Sequence, residues 1–290
     1  MPVSRVVLPG GFAALLLASA CVSPVHDGRD LQSRGLSYRL KTVAAPRPIR
    51  AHILKVDLAA RQVEPVVIIA PDPDGAGPAE AALTNPFVLA GGPPVLAFIN
   101  TNPWDGLPDP ATGKPDRLWR EGQPVTISGL AMANRTVRSQ AEKDGNVCVT
   151  AAGRILITSL TNGMDAVAGA GGWQSIVRNG EVIARDNKSL APRTAVGTDA
   201  TGALLWLVVV DGRQPGFSEG MSISELGGLM KELGCREAAN MDGGGSSVMG
   251  LAGAGGALRL VNSPSDRLLG FVLVRPLPMI LALRLRRPSN

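Results

Sequence analysis

Two aspartates are set apart by their surroundings. Asp211 closes the apolar run Ala203 to Val210 and is followed by Gly212-Arg213, while Asp242 follows Asn240-Met241 and opens Gly243-Gly244-Gly245-Ser246-Ser247. A carboxylate can attack an anomeric carbon or activate water against it, and glycines behind it let the backbone approach a ligand closely. The same corner offers backbone N–H groups as an anion nest, with the hydroxyls of Ser246 and Ser247 as further donors. Asp242 is therefore the expected catalytic carboxylate and Asp211 its expected partner. Arg193, Arg213 and Arg267 each stand beside a glycine, a proline or a strand end, where a side chain can project into a cleft. Their planar guanidinium groups meet phosphate oxygens bidentately and stay charged at any working pH. Asn240, Asn100 and Asn102 add polar groups at strand ends, and Trp104 suits either ring stacking or the core. His26 and His52 are the only histidines, so a histidine-centred zinc site or a Ser-His-Asp triad is not expected. No Asp-x-Asp-x-Asp-Gly calcium spacing occurs, and neither metal nor cofactor is expected. The chemistry is left to carboxylates, amides and arginines.

These groups need elements to bring them together. Ser222 and Glu225 have capping-box spacing, Ile223, Leu226, Leu229, Met230 and Leu233 share one helical face, and Gly234 supplies a stop. If the strand before this helix and the strand after it lie in one sheet with the helix as crossover, they run parallel. Both Asp-Gly corners then emerge at the same sheet edge. Elsewhere, Ser37 to Ala70 reads as strands, with Ile53 to Leu58 and Val63 to Ile69 expected to form a hairpin about residues 59–62. Ala79 to Ala90 has helical composition broken by Pro86, and Pro94 to Thr101 is an apolar strand. Residues 109–146 are turn-rich and lack periodicity. Val147 to Val149 and Arg154 to Thr158 suggest a hairpin, and Ser175 to Arg178 with Glu181 to Ala184 flank Asn179-Gly180, suited to a type I′ turn. Thr194 to Gly197 pairs with the strand from Ala203, followed later by Val248 to Leu251, Ala257 to Val261 and a last strand, Leu269 to Arg275. The fold class expected is α+β, a mixed sheet built largely of hairpins with few helices and one βαβ-like unit ending in the Asp-Gly-Gly-Gly corner.

The 290 residues are 45% apolar, ample for a packed core, with aromatics at only 3% and a net charge of +5. Its one dense basic cluster is Arg284, Arg286 and Arg287. Scarce aromatics and spread charge argue against a nucleic-acid partner. Arg5, the apolar stretch Phe12 to Ala18 and Ala18-Ser19-Ala20-Cys21 read as an export signal too short to span a bilayer. The stretch resembles a bacterial lipoprotein signal, in which Cys21 would carry lipid. Residues 21–36 would then tether a single domain, 37–290, to a membrane facing the periplasm or cell exterior. Cys148 and Cys235 could form one disulfide or remain two buried thiols.

The run of motifs resembles a known family. Ala97-Phe98-Ile99-Asn100, Gly171-Gly172 before a hairpin, Pro192-Arg193-Thr194-Ala195-Val196-Gly197, Val210-Asp211-Gly212-Arg213, the capped helix, Asn240 to Ser247, and Val261-Asn262-Ser263-Pro264 with Arg267 occur in the order seen in phosphodiester glycosidases. The resemblance covers roughly Val43 to Arg275. Two departures are Thr101-Asn102-Pro103-Trp104, where relatives often have glycines and an aromatic pair, and Met241, where leucine is usual. The resemblance implies a hydrolase that cleaves the bond between a sugar and a phosphodiester. It also implies a substrate site drawn from Asn100, Asn102, Arg193, Thr194, Arg213, Asn240, Gly243, Gly244, Gly245, Ser246 and Arg267 around Asp242 and Asp211. The alternative is a glycan-binding or polysaccharide-assembly lipoprotein that keeps the cleft without catalysis.

Overall fold

The apolar run at the centre of the chain forms the strand Leu204–Val210, and its two faces serve two different cores. Leu205, Leu207 and Val209 face one apolar cluster, while Trp206, Val208 and Val210 face another. Successive strand side chains point to opposite faces, so burial on both sides requires an unbroken apolar sequence. The computed structural model describes residues 28–91, 94–159, 165–185, 188–253 and 255–286.

The central strand belongs to a seven-stranded sheet ordered Leu36–Val43, Ile49–Asp57, Leu204–Val210, Arg193–Thr198, Glu237–Asn240, Gln174–Arg178 and Glu181–Val182. One face is covered by the helix Ile223–Glu232, whose Ile223, Leu226, Leu229 and Met230 pack on Ala51, Ile53, Ala195 and Val208. The other face joins two five-stranded sheets around the largest core. One of these runs Leu258–Leu260, Met249–Ala252, Val95–Asn100, Met279–Leu285, Val63–Ile69; the other runs Ile155–Thr158, Asn146–Thr150, Ala166–Gly171, Ala131–Ala133, Thr136–Ser139. Helices are few, as expected.

Several expectations need correction. Every strand pairing among the described residues is antiparallel, so the sheets are not mixed. The strands before and after the capped helix do run the same way, but Arg193–Thr198 lies between them and pairs antiparallel with both. The hairpin expected from Ile53 to Ile69 is absent. Ile49–Asp57 pairs with Leu36–Val43 and with the central strand, whereas Val63–Ile69 pairs with Met279–Leu285 in another sheet, the 3-10 turn Leu58–Ala60 carrying the chain across. The last strand is Met279–Leu285, and Leu269 to Arg275 holds only one arm of a small hairpin, Arg267–Leu268 with Phe271–Val272. Ala79 to Ala90 forms a two-residue strand, Ala81–Ala82, and a four-residue helix, Pro86–Leu89. The unperiodic region 109–146 contains the short strands Pro124–Ile127, Ala131–Ala133 and Thr136–Ser139. The expected tether is shorter than 21–36, because Leu31 and Leu36 are buried in the core. Cys21 and the export signal lie outside the described residues.

Candidate active site

The ends of two sheets meet at the glycine corner. In the seven-stranded sheet Arg193 is opposite Val210 and Ala195 opposite Asn240, which brings Asp211, Thr194 and Met241 to one edge. Met241 N–H donates to the Thr194 carbonyl at 2.8 Å. From the second sheet, Asn100 ends its strand beside Val248, its N–H donating to the Val248 carbonyl at 3.4 Å. Asp242 lies between: its N–H donates to the Thr101 carbonyl at 2.7 Å, and its own carbonyl accepts from Asn100 Nδ2 at 2.7 Å. Asn100 Oδ1 in turn accepts from Thr194 Oγ1 at 2.7 Å and from Val248 N–H at 3.1 Å. The backbone of Asp242 is thus pinned from both sheets.

The Asp242 side chain is half-buried and accepts from Trp173 Nε1 at 3.3 Å. Burial pushes its carboxyl above the usual aspartate range, opposed by hydrogen bonds from Ser246, Trp173 and the Gly243 N–H and by the charge of Arg275. The glycines that follow are required by what lies against them. A Cβ on Gly245 would stand 2.2 Å from both Arg275 Nη2 and Asp266 Oδ1. Gly244 has a φ of +65°, and a Cβ there would stand 3.0 Å from Arg213 Nη1. Two guanidinium groups therefore flank the corner. That of Arg275 is paired with Asp266 at 2.7 Å and also reaches Ser246 Oγ at 3.5 Å. Arg213 is exposed, its side chain makes no hydrogen bond or ion pair among the described residues, and its φ of +57° is uncommon for a residue with a side chain. It lines an open pocket of about 420 Å³ with Leu190, Gln214, Pro215 and Glu219.

Asp211 is fully buried, with every oxygen engaged. Oδ2 meets His52 Nε2 at 3.0 Å, Oδ1 accepts from Ser263 N–H at 2.7 Å and Asn262 Nδ2 at 3.2 Å, and the carbonyl accepts from Ser218 Oγ at 2.7 Å. Beyond it, His52 Nδ1 is 2.8 Å from Tyr38 Oη. This constellation makes Asp211 a positioning residue that ties the central strand to the loop after Val261, rather than a base open to substrate.

The other expected residues divide in the same way. Asn102 is committed to the fold, with Nδ2 donating to the Ser128 and Leu130 carbonyls at 3.0 and 2.9 Å and Oδ1 accepting from Gly171 N–H at 3.0 Å. Arg193 donates to the carbonyls of Met221 at 3.0 Å and Ser189 at 2.8 Å, bracing the segment that crosses from Ala191 to Met221. Arg267 donates to Gln214 Oε1 at 2.7 Å, to Ser263 Oγ at 3.1 Å and to the Pro264 carbonyl. Asn240 is buried with Oδ1 lacking a partner, and Thr101 Oγ1 is in the same state, so the residues on either side of this junction offer unmet acceptors. Trp104 is half-buried and packs edge-on against Trp119 at 5.6 Å, away from a stacking role. Trp173, Arg275, Asp266 and His52 were not anticipated at this site, whereas Asn262 stands in the motif Val261-Asn262-Ser263-Pro264. Only Trp173 carried a local signal, for it follows Gly171-Gly172, where a Cβ on Gly172 would stand 2.6 Å from the Asn240 carbonyl. Cys148 and Cys235 are separate buried free thiols, raised by burial to about 11 and about 12. Among the described residues no group of three His, Cys, Asp or Glu side chains is placed to hold a metal ion.

The model of the phosphodiester glycosidase family matches residues 87–284, well over half the chain and the whole of the glycine corner. The chain belongs to the phosphodiester glycosidase family. Membership implies a hydrolase of glycosidic phosphodiesters. No curated protein sequence matches this chain. Its fold is similar to the catalytic domain of zebrafish N-acetylglucosamine-1-phosphodiester alpha-N-acetylglucosaminidase, auto-inhibited by pro-peptide, at a TM-score of 0.60 and 19% identity over 87% of this chain and 83% of that one. A putative exported protein of Burkholderia pseudomallei aligns at a TM-score of 0.56 and 14% identity over 89% and 88% of the two chains. A hypothetical protein of Synechocystis aligns at 0.51 and 12%, over 87% of this chain and 62% of that one. At these identities the structural likeness shows the fold alone.

Proposed function

We propose that the protein is an exported hydrolase cleaving the glycosidic bond of a sugar-1-phosphodiester in a glycan or envelope polymer. Asp242 acts at the anomeric carbon, as nucleophile or as base for water, and Arg213 neutralises the departing phosphate. The observation that carries this reading is that one corner holds both a half-buried carboxylate, Asp242, and, against Gly244, an uncommitted guanidinium, Arg213. A phosphate monoester is already a weak base, so its departure needs charge neutralisation more than protonation by a strong acid. Burial makes Asp242 more basic than an ordinary aspartate, which suits either role. The strand–helix–strand run with its Asp-Gly-Gly-Gly corner is the scaffold of the site in this reading, and Asn100 and Asp211 hold it in place. The export signal supports attachment through lipid on Cys21.

The deciding experiment compares sugar-1-phosphodiesters with uncharged aryl glycosides as substrates. Release of phosphate monoester is expected, with Arg213→Lys slowing the phosphodiester more than the aryl glycoside. Retention of glycan without any release would make the protein a binding module.

A further inference from the structure

The hairpin Arg267–Leu268/Phe271–Val272 carries an apolar tip and follows Asp266, which lies against Gly245 of the glycine corner. Leu268 is 61%, Leu269 90% and Phe271 77% exposed, and Val272 and Leu273 are exposed as well. From Leu268 to Val274 the sequence contains no polar side chain. Side chains along a strand alternate between faces, so a hairpin lying on a protein partner would be apolar on one face and polar on the other. Here both faces and the turn are apolar, which matches surroundings that are apolar on every side.

The tip is also narrow and convex, turning through Leu269 at φ +50° and Gly270 at φ +84°. Arg267 pairs with Val272 and Leu268 with Phe271, and Leu273 N–H donates to the Asp266 carbonyl at 3.0 Å, while the outward edges of this two-strand ladder stay open and suit the polar headgroup region. The root is basic. Arg267 bonds only neutral acceptors, and neither it nor Arg213 is paired with a carboxylate among the described residues. Arg267 and Gln214 link the hairpin to the loop that carries Pro215 and exposed Phe217.

We propose that this hairpin is a membrane wedge that inserts into a phospholipid bilayer bearing anionic headgroups, with Arg267 and Arg213 at headgroup level. At about 3.3 Å per residue its arms reach about 7–10 Å, the depth at which interfacial elements settle. The hairpin's root, Asp266 with Arg275, lies against Gly245, so insertion turns the corner containing Asp242 toward the bilayer surface. The proposal is independent of any catalytic assignment and of lipid on Cys21.

The test uses the full chain with Cys21→Ser, to exclude an acyl chain, and Leu269→Cys labelled with a polarity-sensitive dye. The buried thiols Cys148 and Cys235, with their raised pKa values, stay unlabelled. On adding vesicles of phosphatidylcholine containing one quarter phosphatidylglycerol, the emission is expected to shift to the blue. Adding Leu268→Asp and Phe271→Asp should abolish the shift and leave turnover of a soluble phosphodiester unchanged. Emission that stays that of water overturns the wedge, as does a shift that survives both aspartates. A shift that follows protein concentration without lipid assigns the tip to a second copy of the chain and overturns it equally.

Discussion

Burial of the Asp242 carboxyl has opposite consequences for folding and for chemistry. Its pKa is raised in the folded state, so the native form loses stability as pH climbs from the unfolded value, near 4, through the folded one, and the loss is complete above it. Asp242→Asn removes that charge and keeps the shape. We expect its melting temperature to equal or exceed that of wild type at pH 7, the gap closing below about pH 4, while activity falls about a hundredfold or more. A turn-forming role alone predicts a lower melting temperature with activity tracking the folded fraction. Trp173→Phe keeps the ring but removes the N–H that holds the Asp242 pKa down, so the acid limb of the pH–rate profile should move to higher pH. The arginines are separated by paired lysine substitutions. Arg193→Lys loses two bonds to carbonyls and should lower the melting temperature, whereas Arg213→Lys should slow turnover and leave melting unchanged. The tight corner after Asp242 was legible because the spacing of its glycines is local. His52, Trp173 and Arg275 were not, because strand register delivers them from distant sequence, and the elimination of histidine chemistry gave no hint that His52 would hold Asp211.

The helix Ile223–Glu232 was readable almost completely, since both halves of its capping box form: Ser222 Oγ accepts from Glu225 N–H and Glu225 Oε2 accepts from Ser222 N–H at 2.8 Å. Ser222→Ala should cost about 1 kcal/mol in denaturant unfolding with little effect on the chemical step; an undetectable loss would show that packing against the sheet alone fixes the helix. The turn Asn179-Gly180 was equally legible, with φ of +54° and +79° as a type I′ turn requires. The false hairpin of Ile53 to Ile69 marks the limit of this kind of reading. Alternation identifies each strand but not its partner, and nothing in residues 58–62 announces a change of sheet. Met279–Leu285 carries Arg284 in the chain's one dense basic cluster, and the strand is possible there because Arg284 is neutralised by Glu64 at 2.6 Å on the neighbouring strand.

At the scale of the whole molecule, the export reading predicts that Cys21→Ser abolishes lipid processing and shifts the protein toward the soluble fraction on cell fractionation; unchanged processing would sink it. Few helices and many hairpins are legible because hairpins are written locally, but the expected mixed sheet is not found, and which sheets share a core depends on pairings such as Leu283 with both Ala97 and Pro65. That pairing has a consequence for how the molecule comes into being. Met279–Leu285 is an interior strand, placed between Val95–Asn100 and Val63–Ile69, yet it leaves the ribosome after both of them. Until it arrives, two long apolar strands each present an open edge, a hazard for aggregation. Asn100, which holds the Asp242 carbonyl, stands on one of those waiting strands. Assembly of the site therefore waits on a strand made after every residue of the site, and a chain interrupted before that strand would contain those residues without being able to form the site.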